Sequence, residues 1–337
     1  MTDLSTELII FCILARLPPR YVVKYKTICK EWRALLSTQQ FEQAHCSHSA
    51  LPSNQRTILI PDLNCSVYQM DFGTGNYGPQ TIIPFPIQVG IENVGVLAHL
   101  DGLLCAYLLP TKVLVLWNPT SNAYKHLSSS HGHGIYEDIT DTVGLYKGPS
   151  NDYNVLHVTR ASTVIQAHIY SRKSGTWRRI PFNTKPEYTS SNFYWSPGTV
   201  CGGTLYFTVC VCWKLTEINF PPVPPTGIFQ GILANVRNTL HMLLWTGIHE
   251  MALQLWALQG DQWVSMFSAP PIPPMPLETW LTITHYMTNG KWFVMNGPHK
   301  LHEFSVDDNP LECFYPVSWF RGHIGTIYIE TVVSPYV

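Results

Sequence analysis

The stretch LIIFCILA at residues 8–15 decides how the rest of this sequence is interpreted. A helix on a protein surface carries a polar residue at every third or fourth place, but this stretch is apolar all round for about two turns. We therefore expect it to be buried on every side. The helical segment that contains it ends near residue 45, and so short a unit buries little surface by itself. We expect another chain to cover part of this apolar surface.

Three helices are predicted in the first 45 residues. The first begins near Ser5, whose hydroxyl can cap it, and ends at Pro18, since proline disfavours helical backbone in the residue before it. The second covers residues 20–29. The third covers residues 30–41 and closes with a turn around Phe41.

The amino-acid composition limits the classes of protein to which this chain can belong. The chain has 337 residues, of which 45% are hydrophobic, so it folds around a sizeable core. Charged residues make up 13% and the net charge is -1, which excludes a general electrostatic attraction to nucleic acid or to an anionic membrane.

The charge is uneven in one segment of the helical part. Between residues 16 and 33 there are six cations (Arg16, Arg20, Lys24, Lys26, Lys30, Arg33) and one acid (Glu31). This region is either a solvated basic face or a surface for an acidic partner.

The sequence predicts an intracellular protein, in the cytoplasm, the nucleus or both. No run approaches the roughly 18 apolar residues that a membrane-spanning helix requires. The stretch at residues 8–15 differs from a signal-peptide core, because Asp3 and Glu7 precede it where cations are usual. The chain has nine cysteines, an odd number, and they are scattered, which fits a reducing compartment.

A polar stretch at residues 46–56 is predicted to link the helices to a second part, residues 57–337, that is built of strands. Short apolar runs recur there with turn residues between them, and no amphipathic helix longer than about two turns interrupts them. The predicted strands cover residues 57–60, 66–72, 94–107, 113–117, 155–159, 166–170, 204–211, 231–245, 253–258, 292–296 and 301–305.

A faint internal repeat points to the architecture of this second part. A strand, a polar turn and an aromatic residue on the returning strand recur at residues 115–124, 168–177, 254–263 and 301–306. Spacings of roughly 45 to 80 residues favour a β-propeller of about six blades. The fold class is therefore α+β by segment: a small three-helix segment followed by an all-β propeller.

The N-terminal helices resemble a known module. LSTELI at 4–9, ILARLP at 13–18, ICKEWRALLS at 28–37 and QF at 40–41 are similar to the F-box of plant F-box proteins. The resemblance implies docking onto the Skp-type adaptor of a cullin-RING ubiquitin ligase through apolar side chains. The positions that match the family's adaptor contacts are Leu8, Ile9, Leu14, Leu17, Pro18, Cys29, Trp32 and Leu36.

Two departures from the family pattern bear on this docking. Ser5 stands where the family usually has proline, and Phe11-Cys12 stand where one residue is usual. One extra residue in an α-helix rotates every later side chain by about 100°, which would weaken the adaptor contact. The alternative that the helices pack only on the chain's own body stays open.

The second part resembles the plant F-box-associated domain, which is kelch-like. The matching motifs are DGLLC at 101–105, LWNPT at 116–120, DYNV at 152–155, YSRKSGTWR at 170–178, CGGTLY at 201–206 and IETVVSP at 329–335. Together the two resemblances imply a non-catalytic substrate-recognition subunit of a Skp-cullin-F-box ubiquitin ligase, which binds an unknown target protein through its β part. The residues that would bind the target are not indicated by the sequence.

No cofactor or metal is expected. The G-x-G-x-x-G pattern at residues 73–78 is followed by Pro79 and no helix, so it lacks a helix N-terminus that could hold a phosphate. His131 and His133 have no accompanying metal-ligand motif. Two other functions stay open: a non-ligase F-box interaction scaffold, and a propeller that binds a small molecule or glycan.

Overall fold

A computed structural model describes the helices, the strands and some of the turns that join them. The described residues are 8–49, 55–61, 66–71, 76–85, 87, 94–108, 113–127, 142–161, 164–181, 193–195, 198–207, 209–211, 221, 230–236, 238–246, 252–268, 283–286, 291–296, 300–305, 313–316 and 323–336. The chain divides into two compact units. Unit 1 comprises Met1–Ser128 with His323–Val337, and unit 2 comprises Ser129–Gly322.

Unit 1 begins with short helical elements rather than the three helices predicted. They are a π-helix Leu8–Ile13, a 3-10 turn Leu14–Arg16, and the α-helices α1 (Pro19–Tyr25), α2 (Lys30–Leu36) and α3 (Gln39–Ser49). The predicted start near Ser5 lies outside the described residues. The second predicted helix is four residues too long, because α1 ends at Tyr25.

The third predicted helix is two helices. The side chain of Thr38 separates them, since its Oγ1 donates to the carbonyl of Leu35 (2.8 Å) and accepts from the amide of Phe41 (3.3 Å). A threonine in this place caps the N-terminus of the next helix. That helix, α3, continues to Ser49, so the stretch predicted as a linker from residue 46 is partly helical, and strand follows from Gln55.

Unit 1 also contains two four-stranded antiparallel sheets. Sheet A has the order β24-β1-β2-β3, and sheet B has the order β4-β5-β6-β7. The strands of sheet A are β1 (Gln55–Pro61), β2 (Ser66–Asp71), β3 (Asn76–Pro84) and β24 (His323–Ile329). Those of sheet B are β4 (Val94–Leu100), β5 (Leu103–Leu108), β6 (Val113–Asn118) and β7 (Ala123–Leu127). The last strand of the chain thus pairs with the first.

The core of unit 1 forms around a tryptophan of sheet B. Trp117 is completely buried, and Phe85, just after β3, meets it edge to face with ring centroids 5.3 Å apart. Leu104 and Leu108 of β5 complete this cluster. Phe85 follows a strand of sheet A and Trp117 lies in sheet B, so their contact joins the two sheets. Aromatic side chains bury large apolar areas, and the contact therefore contributes strongly to the core.

Unit 2 contains three further four-stranded antiparallel sheets and two strand pairs among its described residues. Each sheet follows chain order. Sheet C consists of β8 (Thr142–Lys147), β9 (Tyr153–Ala161), β10 (Val164–Ser171) and β11 (Thr176–Ile180). The pairs are β12 (Phe193–Trp195) with β15 (Val209–Val211) and β13 (Thr199–Cys201) with β14 (Thr204–Tyr206). Sheet D consists of β16 (Gln230–Val236), β17 (Thr239–Thr246), β18 (Ala252–Gln259) and β19 (Gln262–Ser268). Sheet E consists of β20 (Ile283–Tyr286), β21 (Lys291–Asn296), β22 (Lys300–Ser305) and β23 (Cys313–Pro316).

Three runs that the sequence predicts as single strands are divided. The run 94–107 is a hairpin, because Asp101 and Gly102 both have positive φ and turn the chain between β4 and β5. The run 231–245 is likewise a hairpin that turns next to Asn238. The run 204–211 belongs to β14 and β15, which pair with different partners.

The predicted repeat of strand, polar turn and returning aromatic is confirmed in sheets B, C and D. In each sheet it forms the third and fourth strands, with the aromatic of the fourth strand opposite the last apolar residue of the third. The pairs are Trp117 with Tyr124, Tyr170 with Trp177 and Leu258 with Trp263. Cross-strand pairs of this kind stabilise a hairpin by direct side-chain contact. The repeat therefore marks the third and fourth strands of a four-stranded unit.

The DYNV and YSRKSGTWR motifs meet in one buried polar cluster of sheet C. The carboxylate of Asp152 accepts from Ser171 Oγ (2.8 Å) and from the amide of Lys173 (3.2 Å), and Arg172 Nε lies 3.7 Å from it. The Arg172 guanidinium also sits over the Tyr153 ring, 4.8 Å from its centroid. These motifs are thus explained by the packing of the β9 and β10 ends.

Candidate functional site

The helical segment presents the candidate site, and its first turns have an unusual geometry. Residues 8–13 form a π-helix, whose hydrogen bonds join residues five apart and so take in one more residue than an α-helical turn. The chain then tightens into the 3-10 turn, and the Leu17 amide donates to the Leu14 carbonyl (3.2 Å). Pro18 has φ -54 and ψ 137, and Pro19 is the first residue of α1. Proline is favoured there because an amide hydrogen at that position would have no partner within the helix.

The π-helical geometry accommodates the extra residue seen in the sequence. The second residue of the Phe11-Cys12 pair would rotate every later side chain if the helix were a regular α-helix. A π-helical turn takes up one residue locally instead. Leu14 and Leu17, which follow the turn, therefore need not be rotated away from the positions that the family pattern gives them.

Two of the eight residues predicted to contact an adaptor lie inside the helical core. Leu14 is 5% exposed and Leu36 is 1% exposed. Both belong to one buried cluster, which consists of Ile10, Leu14, Ala15, Val22, Leu36, Phe41 and Val332. In this structure they hold the helices together and offer almost no surface to a partner.

The other six predicted contact residues are at least partly accessible. Leu8, Pro18 and Cys29 are exposed, and Ile9, Leu17 and Trp32 are half-buried. Cys29 also has a local task, since its sulfur accepts from the Trp32 amide (3.4 Å) and so caps α2. The Trp32 ring meets Tyr25 edge to face at 5.9 Å, which fixes α1 against α2.

Several large apolar side chains outside the predicted contact set are exposed. Ile28 is 62% exposed and Ile13 is 47% exposed, close to the 48% of Leu8. Tyr21 and Leu35 are exposed too. The position of Ile28 could have been found from sequence only by placing the end of α1 at Tyr25, because Ile28 then falls in the turn before α2. Five exposed large apolar side chains on one small unit make the helices the candidate interaction surface.

The same helical segment also exposes cations. Arg16, Arg20, Lys24, Lys30 and Arg33 are all exposed. The Arg20 guanidinium lies 5.0 Å from the centroid of the Tyr21 ring, and Arg33 Nε donates to the Lys26 carbonyl (3.3 Å). Lys26 differs from the others, since burial lowers its pKa while the nearby Glu42 carboxylate opposes that effect. The accessible surface of the helices is therefore both apolar and positively charged.

A buried histidine fixes the joint between the 3-10 turn and α1. His45 Nε2 lies 3.0 Å from the carbonyl of Leu17, and Ser49 Oγ lies 2.9 Å from His45 Nδ1. Burial lowers the pKa of His45 to about 4, the hydrogen bond to the Leu17 carbonyl opposing this effect. The ring is therefore neutral at pH 7, with Nε2 donating to Leu17 and Nδ1 accepting from Ser49. The hydrogen bond from His45 therefore fixes the backbone of Leu17, whose side chain is half-buried.

The described residues of the β part expose fewer large apolar side chains, namely Ile82, Val264, Met266 and Tyr336. No three His, Cys, Asp or Glu side chains converge as metal ligands within the part of the chain that the structure describes. His131, His133 and Gly73 lie outside it. No described helix is long and apolar enough to cross a membrane.

Comparison with known proteins bears on both parts. No protein-family model matches the chain. Over 96% of its length the chain is 22% identical to an F-box/LRR-repeat protein of Arabidopsis thaliana, of which it covers 79%. It is 26% identical, again over 96% of its length, to an F-box/kelch-repeat protein of the same plant, of which it covers 93%. Among solved structures it is similar to TolB from Acinetobacter baumannii, with a TM-score of 0.50, 8% identity, and coverage of 86% of this chain and 73% of that one.

Short N-terminal helices followed by repeated four-stranded antiparallel sheets are consistent with an F-box joined to a β-propeller. The Arabidopsis relatives, matched over most of the chain, support a plant F-box protein with a kelch-like domain. The fold class predicted from the sequence is confirmed.

Proposed function

We propose that this protein is the substrate-recognition subunit of a Skp-cullin-F-box ubiquitin ligase. Its helices bind the Skp-type adaptor, and through it the cullin-RING ligase, while its β part binds a target protein whose identity is open. The observation that carries the proposal is the set of exposed apolar side chains on the helices, with Ile28 62% exposed, together with the exposed cations of the same helices. The similarity to F-box/kelch-repeat proteins supports the same conclusion.

Under this proposal the predicted contact residues have two roles, according to whether their side chains are accessible or buried. Leu8, Ile9, Leu17, Pro18, Cys29 and Trp32 touch the adaptor, and Ile13 and Ile28 join them. Leu14 and Leu36 act from within, by holding the helices in the shape that presents the others. The cationic side chains favour an acidic partner, since complementary charge speeds encounter and disfavours wrong partners.

The proposed mechanism is proximity. A subunit that holds a target beside a ubiquitin-charged enzyme raises the effective concentration of the target's lysines, so that transfer becomes in effect intramolecular. The subunit needs no catalytic residue of its own for this, and it needs no cofactor. Its place of action under the proposal is the cytoplasm, the nucleus or both.

The proposal is tested by affinity purification of the full chain from plant cells under proteasome inhibition. Ile28→Asp places a charge at the most exposed large apolar side chain of the helices, and we expect it to lower recovery of the adaptor and cullin at least tenfold. Val264→Asp is the matched control, because Val264 is an exposed apolar residue of β19 outside the helices. Equal recovery with both variants would overturn the proposal.

A point variant is preferable to deletion of residues 1–45. Such a deletion cuts α3 at its middle and uncovers Val332, which the helices bury. Loss of binding could then follow from damage to unit 1. Recovery of the adaptor without the cullin would instead favour the non-ligase scaffold.

A further inference from the structure

The C-terminal segment, residues 329–336, contacts both the helices and sheet B. On the side of sheet B, Thr331 is fully buried and its Oγ1 donates to the carbonyl of Asp101 (2.7 Å). The fully buried Asn118 side chain donates through Nδ2 to the carbonyls of Thr331 (3.1 Å) and Val333 (2.7 Å). Its Oδ1 accepts from the amides of Thr120 (2.8 Å) and Ser121 (3.3 Å), so one side chain joins the segment to the β6–β7 turn.

On the side of the helices the same segment completes the core. Val332 is 2% exposed and belongs to the buried cluster of the helices, with Leu14, Leu36 and Phe41. Two positions further on, the amide of Ser334 donates to Glu42 Oε1 of α3 (2.9 Å). Glu42 is itself buried, and an amide that donates to a buried carboxylate makes a stronger bond than one between neutral groups.

The end of the segment returns to sheet B. The Tyr336 hydroxyl donates to the carbonyl of Tyr124 in β7, and Lys125 Nζ lies 6.0 Å from the centroid of the Tyr336 ring. Gly102 in the β4–β5 turn has φ +81, and a Cβ there would collide with Thr331 Oγ1 and the Ile329 carbonyl. The segment is therefore fastened at its start, its middle and its end.

We propose that residues 329–336 form a strap that locks the helices onto sheet B, and that the helices keep their docking shape only while the strap is in place. The helical segment is too small to bury an adequate core alone, and Val332 supplies a side chain from the far end of the chain. The strap thus makes one mechanical unit of the N-terminal helices, sheet B and the C-terminus. Its consequence for adaptor binding rests on the proposed function, but its effect on the helices does not.

Limited digestion of the full chain with trypsin tests the strap. Trypsin cuts after the exposed Arg20, Lys24 and Lys30, and cleavage within a helix requires that the helix open first. Val332→Ala is expected to speed cleavage in residues 16–33 by about tenfold, since it leaves a cavity in the helical core. Val264→Ala, the same change at an exposed site, is expected to leave that rate unchanged.

A second variant tests whether a change in the contact between the strap and sheet B also affects the helices. Thr331→Val keeps the shape of a side chain that faces sheet B and removes the hydroxyl that donates to the Asp101 carbonyl and accepts from the Val333 amide (3.4 Å). We expect cleavage of the helices to rise about threefold or more, although Thr331 lies outside their core. Helical cleavage that stays at the wild-type rate in both Val332→Ala and Thr331→Val overturns the strap.

Titration of the same proteins with purified Skp-type adaptor separates the two proposals. Faster cleavage together with adaptor affinity lowered at least about fivefold supports both the strap and its link to docking. Faster cleavage with a wild-type chain that binds no adaptor supports the strap and overturns the proposed function.

Discussion

Replacing Leu14 and Leu8 separately by alanine tests the division between core and surface in the helical segment. Both residues match adaptor-contact positions of the family, yet Leu14 is 5% exposed and Leu8 is 48% exposed. A core Leu→Ala change costs 2 to 5 kcal/mol, and for Leu14 we expect about 3 kcal/mol because it lies against several buried neighbours. For Leu8, already half in solvent, we expect less than about 1 kcal/mol.

Hydrogen exchange of amides in residues 10–45 measures the difference. Each 1.4 kcal/mol is a factor of about ten in an opening equilibrium, so Leu14→Ala should raise exchange by roughly a hundredfold, and Leu8→Ala by less than about fivefold. Under the proposed function, Leu8→Ala should nevertheless weaken adaptor binding. Equal exchange in the two variants would refute the assignment of Leu14 to the core.

Two further predictions concern buried groups of unit 1. Unfolded His45 titrates near pH 6.5 and folded His45 near 4, so below pH 6.5 the unfolded state binds the extra proton. The free energy of unfolding should therefore fall as the pH is lowered from 7 to 4, and denaturant titrations of His45→Gln should show a flatter dependence; an equal slope would contradict this. Gly102→Ala should lower the free energy of unfolding by more than about 2 kcal/mol, because its φ is +81 and its Cβ would collide with the C-terminal segment. Gly260→Ala, with φ +62 and open space around it, should cost only about 1 kcal/mol in the same titration, and equal costs would refute the collision.

Much of the β part could be predicted from sequence because strand and turn signals are local. The run predicted at 113–117 is found as β6, and the one at 301–305 as β22, each within one residue. Joined runs such as 94–107 failed for a local reason as well. Asp101 adopts positive φ at the turn, and a non-glycine residue there is easily taken for part of a strand.

The helical segment was harder to predict. The apolar period at residues 8–15 indicates a helix but does not distinguish π from α hydrogen bonding, which depends on a single added residue. The separation of α2 from α3 depends on the Thr38 hydroxyl, and polar residues at 46–49 resemble a linker although they belong to α3. Propensity is a weak guide where tertiary contacts decide.

Burial within the candidate site could not be predicted, because it depends on contacts from distant parts of the chain. A helical pattern shows that Leu14 and Leu36 are apolar, but not whether they face a partner or the chain's own core. Val332, about three hundred residues away, helps to bury them. The motif that contains Val332 was visible in the sequence, and only the folded chain brings it to the helices.

The most direct test of the central claim is a calorimetric titration of the purified full chain with purified Skp-type adaptor. We predict one binding site per chain, with affinity lowered at least tenfold by Ile28→Asp and unchanged by Val264→Asp. A tenfold loss corresponds to about 1.4 kcal/mol, well below the cost of burying an unpaired charge in an apolar contact. Absence of binding by the wild-type chain, or equal affinity of the two variants, would contradict the claim that the helices form an adaptor-docking surface.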